Sequence, residues 1–436
     1  MTARETRVEL FIGKGGVGKT TLACATAMSE ARSGRRVLVA SLDQAHSLGD
    51  ALGFRFPHDP GTVAGVATVL PGLDVIEVDS LALLEDRFRE VVRLISTGHG
   101  HDHGIDIAAL DPAELTGLPG VQELLMLVEI AEFAAERDWD LIVVDCPPSA
   151  DMLRIITAPD TLLGYVERIW PPHARAMSAI STDLRRAVLA ATVERIVKAV
   201  KEVRDLIADH RRTGARLITV AERVAVAESE RVRSAAALLG LRLDAVVVNK
   251  VLPDVAPPAG PVEAENPAVH WYLNRCREQL DVIAELRRKM LGIPVVIAQH
   301  AGPEPIGLSS LAALSYAVDS MRNLGDAALM LSDNQTEVDV GAGEPVVRWE
   351  SGAGLQSVYA LRMHLPVVDA ATLRLGRVED DLIVGADGVR RRMRLAPVLR
   401  RCAVDGAELD GGYLVVRFRP DPQVWSHASE GHGHDR

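Results

Sequence analysis

The segment that decides the fold is Gly13-Lys14-Gly15-Gly16-Val17-Gly18-Lys19-Thr20-Thr21. It fits the pattern G-x-x-x-x-G-K-[ST] and lies between a strand-like run, Arg7–Ile12, and a helix-period stretch, Thr20–Ser33. Glycines let the backbone curl so that successive N–H groups point at phosphate oxygens, and the following helix presents its positive end to them. In such a loop Lys19 reaches the β- and γ-phosphates and the Thr20 hydroxyl holds Mg²⁺. The segment therefore predicts a nucleoside triphosphate site built on residues 13–21.

The first three hundred residues alternate short apolar runs with longer helix-period stretches. Runs such as Leu141-Ile142-Val143-Val144 are apolar on both faces, as expected of a parallel sheet covered by helices on each side. We therefore predict a doubly wound, mostly parallel α/β domain over residues 1–325, with a helical subdomain inserted at about 80–137 and 165–212. The predicted strands are Arg7–Ile12, Arg36–Ser41, Asp74–Val78, Asp140–Asp145, Arg216–Val220, Ala245–Asn249 and Pro294–Ala298, and the predicted helices include Thr20–Ser33, Val121–Arg137 and Arg175–Arg212.

The last quarter of the chain has a different composition. Residues 326–343 predict a linker, and short alternating runs in 344–422 predict a small all-β sandwich. These runs are Tyr359–Leu365, Thr372–Arg377, Asp381–Val384, Val389–Leu395 and Gly412–Phe418. Residues 344–420 hold 12 arginines and 10 acidic residues, whereas the whole chain holds 48 basic and 60 acidic residues. Residues 423–436 form a histidine-rich tail that we expect to be flexible, and histidines alternate with other residues again in 98–104. Metal binding by these histidines is left open.

Composition excludes several classes of protein. The net charge of −12 argues against a uniformly basic surface for nucleic acid. The four cysteines lie far apart without a CxxC pair, which argues against a zinc clip or a disulfide framework and suits a reducing compartment. The first residues lack the apolar segment of a secretory signal, and no uncharged apolar run approaches about 20 residues. We expect a cytoplasmic protein without a membrane span.

Four further residues are candidates for the nucleotide site. Only six of the 48 basic residues are lysines, and two of the six, Lys14 and Lys19, lie in the loop. Lysine at position 14 in such an arginine-rich chain indicates that the loop needs the compact charge of an ammonium group. Asp145 ends an apolar strand, where a carboxylate can support Mg²⁺ directly or through water. Asp43 follows another strand and could polarise the attacking water. Asn249 also ends a strand, where its side-chain amide could contact the edge of adenine.

Together these elements resemble the ArsA-type family, which includes arsenite-pump ATPases and the ATPases that deliver tail-anchored membrane proteins. The resemblance covers roughly residues 7–325. Ser41–Ser47 resembles the family's switch I, where Asp43 would activate water, although Gln44 replaces the usual proline. Asp145–Arg154 resembles switch II, with Ala150-Asp151 where the family has Gly-His.

The resemblance implies the ligands and the assembly. It implies ATP and Mg²⁺ as cofactors, with the metal held by Thr20 and Asp145. It also implies a homodimer in which Lys14, the extra lysine of "deviant" P-loops, reaches the partner's nucleotide. Besides the loop and Asn249, the nucleotide would contact Pro303 and Glu304, because Pro303–Leu308 resembles the loop that packs near adenine.

Two differences from the family limit which of its functions we expect of this chain. The CxxC pair that binds a bridging zinc in many tail-anchor targeting members is absent, and no cysteine grouping resembles an arsenite site. An arsenite pump is therefore disfavoured. The runs Ala371–Val384 and Leu409–Phe418 resemble an α-crystallin-like domain of the small heat-shock type, which some ArsA-type ATPases carry at this end.

The sequence thus favours a homodimeric ATPase whose nucleotide state opens and closes a hydrophobic surface for a polypeptide client, such as a membrane-protein segment. An ATP-gated holdase chaperone with little turnover is one alternative. A partitioning-type ATPase that acts on DNA or membrane is another, since that class shares the deviant loop. The acidic balance of the ATPase part argues against nucleic acid as a partner.

Overall fold

The structure, a computed structural model, describes residues 5–43, 47–56, 65–78, 81–87, 89, 121–180, 184–254, 266–300, 302–318, 345–365, 370–386 and 388–425. The chain divides into two compact units. One comprises Met1–Ala227 and Leu243–Leu331, and the other comprises Glu228–Arg242 and Ser332–Arg436.

The first unit is built on an eight-stranded sheet in the order β3-β4-β2-β5-β1-β6-β7-β8. Neighbouring strands are parallel except for β3 and β4, which form an antiparallel edge. The strands are β1 Arg7–Gly13, β2 Val37–Ser41, β3 Ala67–Leu70, β4 Leu73–Glu77, β5 Leu141–Asp145, β6 Thr213–Val220, β7 Leu243–Val251 and β8 Val295–Gln299.

Helices connect these strands. They are α1 Lys19–Arg32, α2 Ser47–Leu52, α3 Val121–Glu136, α4 Ser149–Ile169, α5 Pro172–Ala179, α6 Leu184–Ala208, α7 Arg223–Leu239, α8 Pro267–Lys289 and α9 Leu308–Val318.

The core of the first unit is aliphatic. Every residue of β2 and β5 is buried, and α1 and α9 contribute side chains to the same apolar cluster. One ion pair is buried on the sheet, where Arg216 Nη2 on β6 lies 2.7 Å from Glu9 Oε2 on β1 and both side chains are at most 3% exposed. Because β1, β2, β5 and β7 are parallel, their carboxyl ends meet at one edge, which collects the side chains of the predicted site.

The predicted α/β fold class is confirmed, with differences in extent. The sequence missed β3, whose residues are only half-buried. The helix-period stretch Arg175–Arg212 covers most of α5 and all of α6. Helix α6 ends at Ala208, and the Thr213 hydroxyl at the start of β6 bonds the Leu206 carbonyl at 2.6 Å.

Part of the predicted helical insertion lies within the described residues. Leu124 of α3, Leu163 of α4, and Val197 and Val200 of α6 form an apolar cluster of their own. The second helical stretch starts at α4, earlier than the predicted residue 165. Residues 90–120 of the first stretch, with their histidines, lie outside the described residues, as do the whole predicted linker, 326–343, and residues 426–436 of the tail.

The second unit contains two antiparallel sheets that share one core. Apolar side chains of β10 and β15 pack with those of β12 and β13, so the sheets form a sandwich. The sequence missed β9 and β14 because these strands are largely exposed and show little apolar alternation. The sheets are β14-β15-β10-β9 and β11-β12-β13, and the strands are β9 Val346–Ser351, β10 Val358–His364, β11 Arg374–Val378, β12 Asp381–Ala386, β13 Val389–Arg394, β14 Cys402–Asp410 and β15 Tyr413–Pro420, with short helices α10 Pro397–Arg400 and α11 Pro422–Trp425.

Candidate functional site

The loop between β1 and α1 has a backbone that requires glycine. Gly16 and Gly18 have φ values of 79° and 92°, in the left-handed region that other residues rarely adopt. A Cβ atom at Gly13 would lie 2.2 Å from the Ile218 carbonyl oxygen, and one at Gly18 would lie 2.4 Å from Asn249 Nδ2. Backbone conformation or close packing against β6 and β7 thus explains Gly13, Gly16 and Gly18, whereas Gly15 has neither constraint.

The two lysines of the loop have different environments. Lys19, the first residue of α1, is buried, and its Nζ atom donates a hydrogen bond to the Lys14 carbonyl at 3.3 Å. The residue thus lies at the positive end of the helix, where an anion is stabilised. Lys14 is exposed, so its ammonium group is accessible from outside the subunit.

Thr20 and Asp145 meet at the point predicted for the metal. Thr20 Oγ1 donates to Asp145 Oδ2 at 2.6 Å and lies 3.1 Å from Ser47 Oγ. The other oxygen, Asp145 Oδ1, is buried and has no hydrogen-bond partner in the described part of the chain. Since Mg²⁺ prefers carboxylate and hydroxyl oxygens, these residues fit the ion that the fold family implies.

Burial perturbs the titration of Asp145. Desolvation raises its pKa from 3.8 to about 6, although the Thr20 hydroxyl and the Lys19 ammonium act in the opposite direction. The nearby charge of Asp43 also raises the pKa. A buried carboxylate that resists ionisation binds a cation favourably, because the cation compensates the desolvated charge.

Asp43 and Asn249 also lie at this edge. Asp43 follows β2, is half-buried and lines the same pocket as the loop. The Asn249 amide is engaged within the protein, since Nδ2 donates to the Val17 carbonyl at 2.8 Å and Oδ1 accepts from the Lys250 N–H at 2.8 Å. In this structure Asn249 therefore braces the loop, and its contact with adenine stays a prediction.

Most of the predicted site residues line one pocket of about 690 Å³, which is large enough for a nucleotide. Gly15, Gly16, Gly18, Lys19, Thr20, Thr21, Asp43, Asn249, Pro303 and Glu304 belong to its lining, whereas Gly13, Lys14, Val17 and Asp145 do not. Lining residues that the sequence reasoning missed include Ser47, Asp50, Lys250, Gln299 and His300. Lys250 could have been found, because it is a third rare lysine and directly follows Asn249.

Comparison with known proteins decides the family. The family model described as anion-transporting ATPase, of the ArsA type, matches residues 6–315. The chain belongs to the ArsA ATPase family. A second model, an HSP20-like domain found in ArsA proteins, matches residues 356–418, which confirms the resemblance to the small heat-shock type.

Similar proteins extend over both parts of this ArsA-family chain. Protein Rv2184c of Mycobacterium tuberculosis is 44% identical over 430 residues, which cover 97% of this chain and 98% of that protein. Putative arsenical pump-driving ATPase 1 of Aquifex aeolicus is 26% identical over 421 residues, covering 94% and 99%. ATPase GET3 of Malassezia globosa is 25% identical over 307 residues, covering 69% and 87%. Membership of this family supports ATPase activity in general.

The four cysteines of this ArsA-family protein are free thiols. Cys24, Cys146 and Cys402 are buried free thiols, and Cys276 is partly exposed. Burial, together with the charge of Asp145, raises the pKa of Cys24 and Cys146 well above its usual value. Burial therefore favours the neutral thiol over the thiolate at both positions.

Apolar side chains are exposed on the helices that follow Asp145. Ile169 at the end of α4 is 81% exposed, Met177 on α5 is 67% exposed, and Ile180 just after α5 is 77% exposed. Tyr165 on α4 is also more than half exposed. Within the described ranges, the helices are too short or too polar to cross a bilayer.

Proposed function

We propose that the protein hydrolyses ATP with Mg²⁺ at the carboxyl edge of its parallel sheet. The observation that carries the proposal is the Thr20–Asp145 hydrogen bond of 2.6 Å, which leaves the buried Asp145 Oδ1 without a partner beside the phosphate loop. Thr20 and Asp145 would hold Mg²⁺ there, and the ion would supply positive charge to offset the negative charge of the phosphates. The names of the curated relatives support an ATPase, and the pocket supplies the expected groups.

Each residue has a distinct part in this proposal. The loop N–H groups and Lys19 bind the β- and γ-phosphates and hold them in line with the attacking water. Thr20 and Asp145 hold the metal. Asp43, which follows β2 and lines the same pocket, orients the water and accepts its proton.

The direct test of Asp43 is substitution by asparagine. Asp43→Asn keeps the shape of the side chain, so ATP affinity should stay within about threefold while turnover falls by about 10²–10⁴-fold, the usual contribution of a general base. Affinity is measured by equilibrium binding and turnover by phosphate release. A loss of turnover smaller than tenfold would assign the base to another residue.

We further propose that the active form is a homodimer in which Lys14 contacts the partner's nucleotide. The support is that Lys14 is exposed on the loop, whereas Lys19 already provides a buried cation beside the phosphates. The test mixes Lys14→Ala subunits with an excess of Asp43→Asn subunits. Each variant alone should be inactive. A mixed dimer has one site with both residues intact, so activity should return. No recovery while sizing shows mixed dimers would leave Lys14 as a ligand within its own subunit.

The exposed apolar residues near the end of α4 suggest what the hydrolysis controls. Helix α4 begins at Ser149, four residues after Asp145, and ends at the exposed Ile169. At about 1.5 Å per residue, its 21 residues span about 30 Å. A helix of this length, with Pro159 inside it, connects the metal ligand to a remote apolar surface.

We propose that this surface binds a hydrophobic polypeptide segment when ATP is bound and releases it on hydrolysis. A purified Asp43→Asn protein loaded with ATP should retain an apolar helical peptide that the wild type releases on turnover. Ile169→Glu is the matched variant, and it should weaken peptide binding while leaving basal ATP turnover unchanged. Equal peptide binding by the Ile169→Glu variant would remove this surface from the proposal.

A further inference from the structure

The carboxyl end of β7 contains an irregularity directly beside the phosphate loop. Val248 pairs with Ile297 of β8, but the next register pair joins Val251 to Gln299, so β7 has one extra residue. Lys250 lies in this bulge with a φ of 58°, in the left-handed region that a lysine rarely adopts. Bulges near active sites change the direction in which side chains point.

The bulge lets two consecutive side chains reach the same loop. In a regular strand, successive side chains point to opposite faces. Here Asn249 Nδ2 donates to the Val17 carbonyl at 2.8 Å, and Lys250 Nζ donates to the Gly16 carbonyl at 3.0 Å. The Lys250 N–H also bonds Asn249 Oδ1 at 2.8 Å, which fixes the pair.

These bonds determine where the loop N–H groups point. In a trans peptide the C=O and the following N–H point in opposite directions. Because Lys250 holds the Gly16 carbonyl toward β7, the Val17 N–H points away from β7. In the same way, the bond from Asn249 to the Val17 carbonyl turns the Gly18 N–H away from β7. Gly16, Gly18 and Lys250 line the same pocket, so these contacts lie beside the site proposed for the nucleotide.

We propose that Lys250 is a positioning residue, which anchors the Gly16 carbonyl so that the neighbouring N–H groups are directed at nucleotide phosphates. The inference rests on the proposed nucleotide function and names a residue that shapes that site without being part of the family motif. Because the same loop geometry serves ADP, ATP and the transition state, the loss of Lys250 should weaken all of them alike.

Lys250→Met, which keeps the apolar stem but removes the donor, is compared with Lys250→Arg, which keeps a cationic donor. Lys289→Met on α8 is the control, since Lys289 is a lysine 3.4 Å from Glu285. ADP affinity is measured with a fluorescent ADP analogue. Lys250→Met should bind about fivefold more weakly, the factor that one net hydrogen bond supplies. It should raise KM for ATP by the same factor with kcat within about twofold. Lys250→Arg should restore affinity, and the Lys289→Met control should match the wild type.

Hydrogen exchange of the Val17 and Gly18 amides without nucleotide provides a second readout. Both should exchange faster in Lys250→Met than in the wild type and in Lys250→Arg. Unchanged exchange, or ADP affinity equal to that of the wild type, would overturn the positioning role. Failure of the wild type itself to bind ADP would instead count against the proposed function, while the exchange comparison would still decide the role of Lys250.

Discussion

Asp145→Asn should stabilise the protein in a pH-dependent way. The folded state raises the pKa of Asp145 from 3.8 to about 6, so it binds this proton more tightly than the unfolded chain does. Below about pH 4, Asp145 is protonated in both the folded and the unfolded state, so its burial does not desolvate a charge. As the pH rises toward 6, the unfolded state ionises first and stability falls. Above about pH 6 the free energy of unfolding is lower by the full amount, about 3 kcal/mol for a pKa raised by about two.

The asparagine variant lacks this ionisation, so its stability relative to the wild type should increase between about pH 4 and 6 and then level off. The assay is the free energy of unfolding in urea for both proteins at intervals from pH 4 to 8. Any packing or hydrogen-bond cost of the amide is independent of pH and shifts the whole curve without changing its slope. A constant difference between the two proteins across this range would refute the reasoning. The variant should also lose Mg²⁺-dependent turnover, because a buried carboxylate that lowers stability is kept for its function.

Three further substitutions test packing at the site and in the sheet. Gly18→Ala places a Cβ atom 2.4 Å from Asn249 Nδ2 at a φ of 92°, so it should destabilise the protein by about 1–3 kcal/mol in urea unfolding. Gly15→Ala meets no atom within 4 Å and should stay within about 0.5 kcal/mol, and equal losses for the two would contradict this account. Glu9→Gln leaves the buried Arg216 charge uncompensated and should cost about 3–5 kcal/mol, whereas an unchanged urea midpoint would show that the pair is dispensable.

Local sequence predicted the elements whose signals are local. The glycine loop, the apolar β5 run and Asp145 at its end follow from motif, periodicity and strand position, and the structure places Thr20 and Asp145 in contact. The sequence did not predict strands β9 and β14, because a strand with little buried surface has no strong apolar alternation, as in Cys402–Asp410.

Features that depend on register between distant segments could not be read from the chain. The contact of Lys250 with Gly16 requires a bulge in β7, and no composition signal marks that bulge. The Asn249 amide was predicted to contact adenine, but its position beside Val17 depends on packing between β7 and the loop. Ser47 approaches Thr20 only because α2 starts near the end of β5 in space, although 98 residues separate Ser47 from Asp145.

The most direct test of the central claim is phosphate release from ATP by the purified wild-type protein and by Lys19→Ala, with Mg²⁺ and with the metal chelated. The account predicts release by the wild type that requires Mg²⁺, and no release above background by Lys19→Ala, because the charge of the β- and γ-phosphates is then uncompensated. Equal release by the two proteins, or wild-type release that persists after chelation, would contradict the assignment of this pocket as the site of Mg²⁺-dependent ATP hydrolysis.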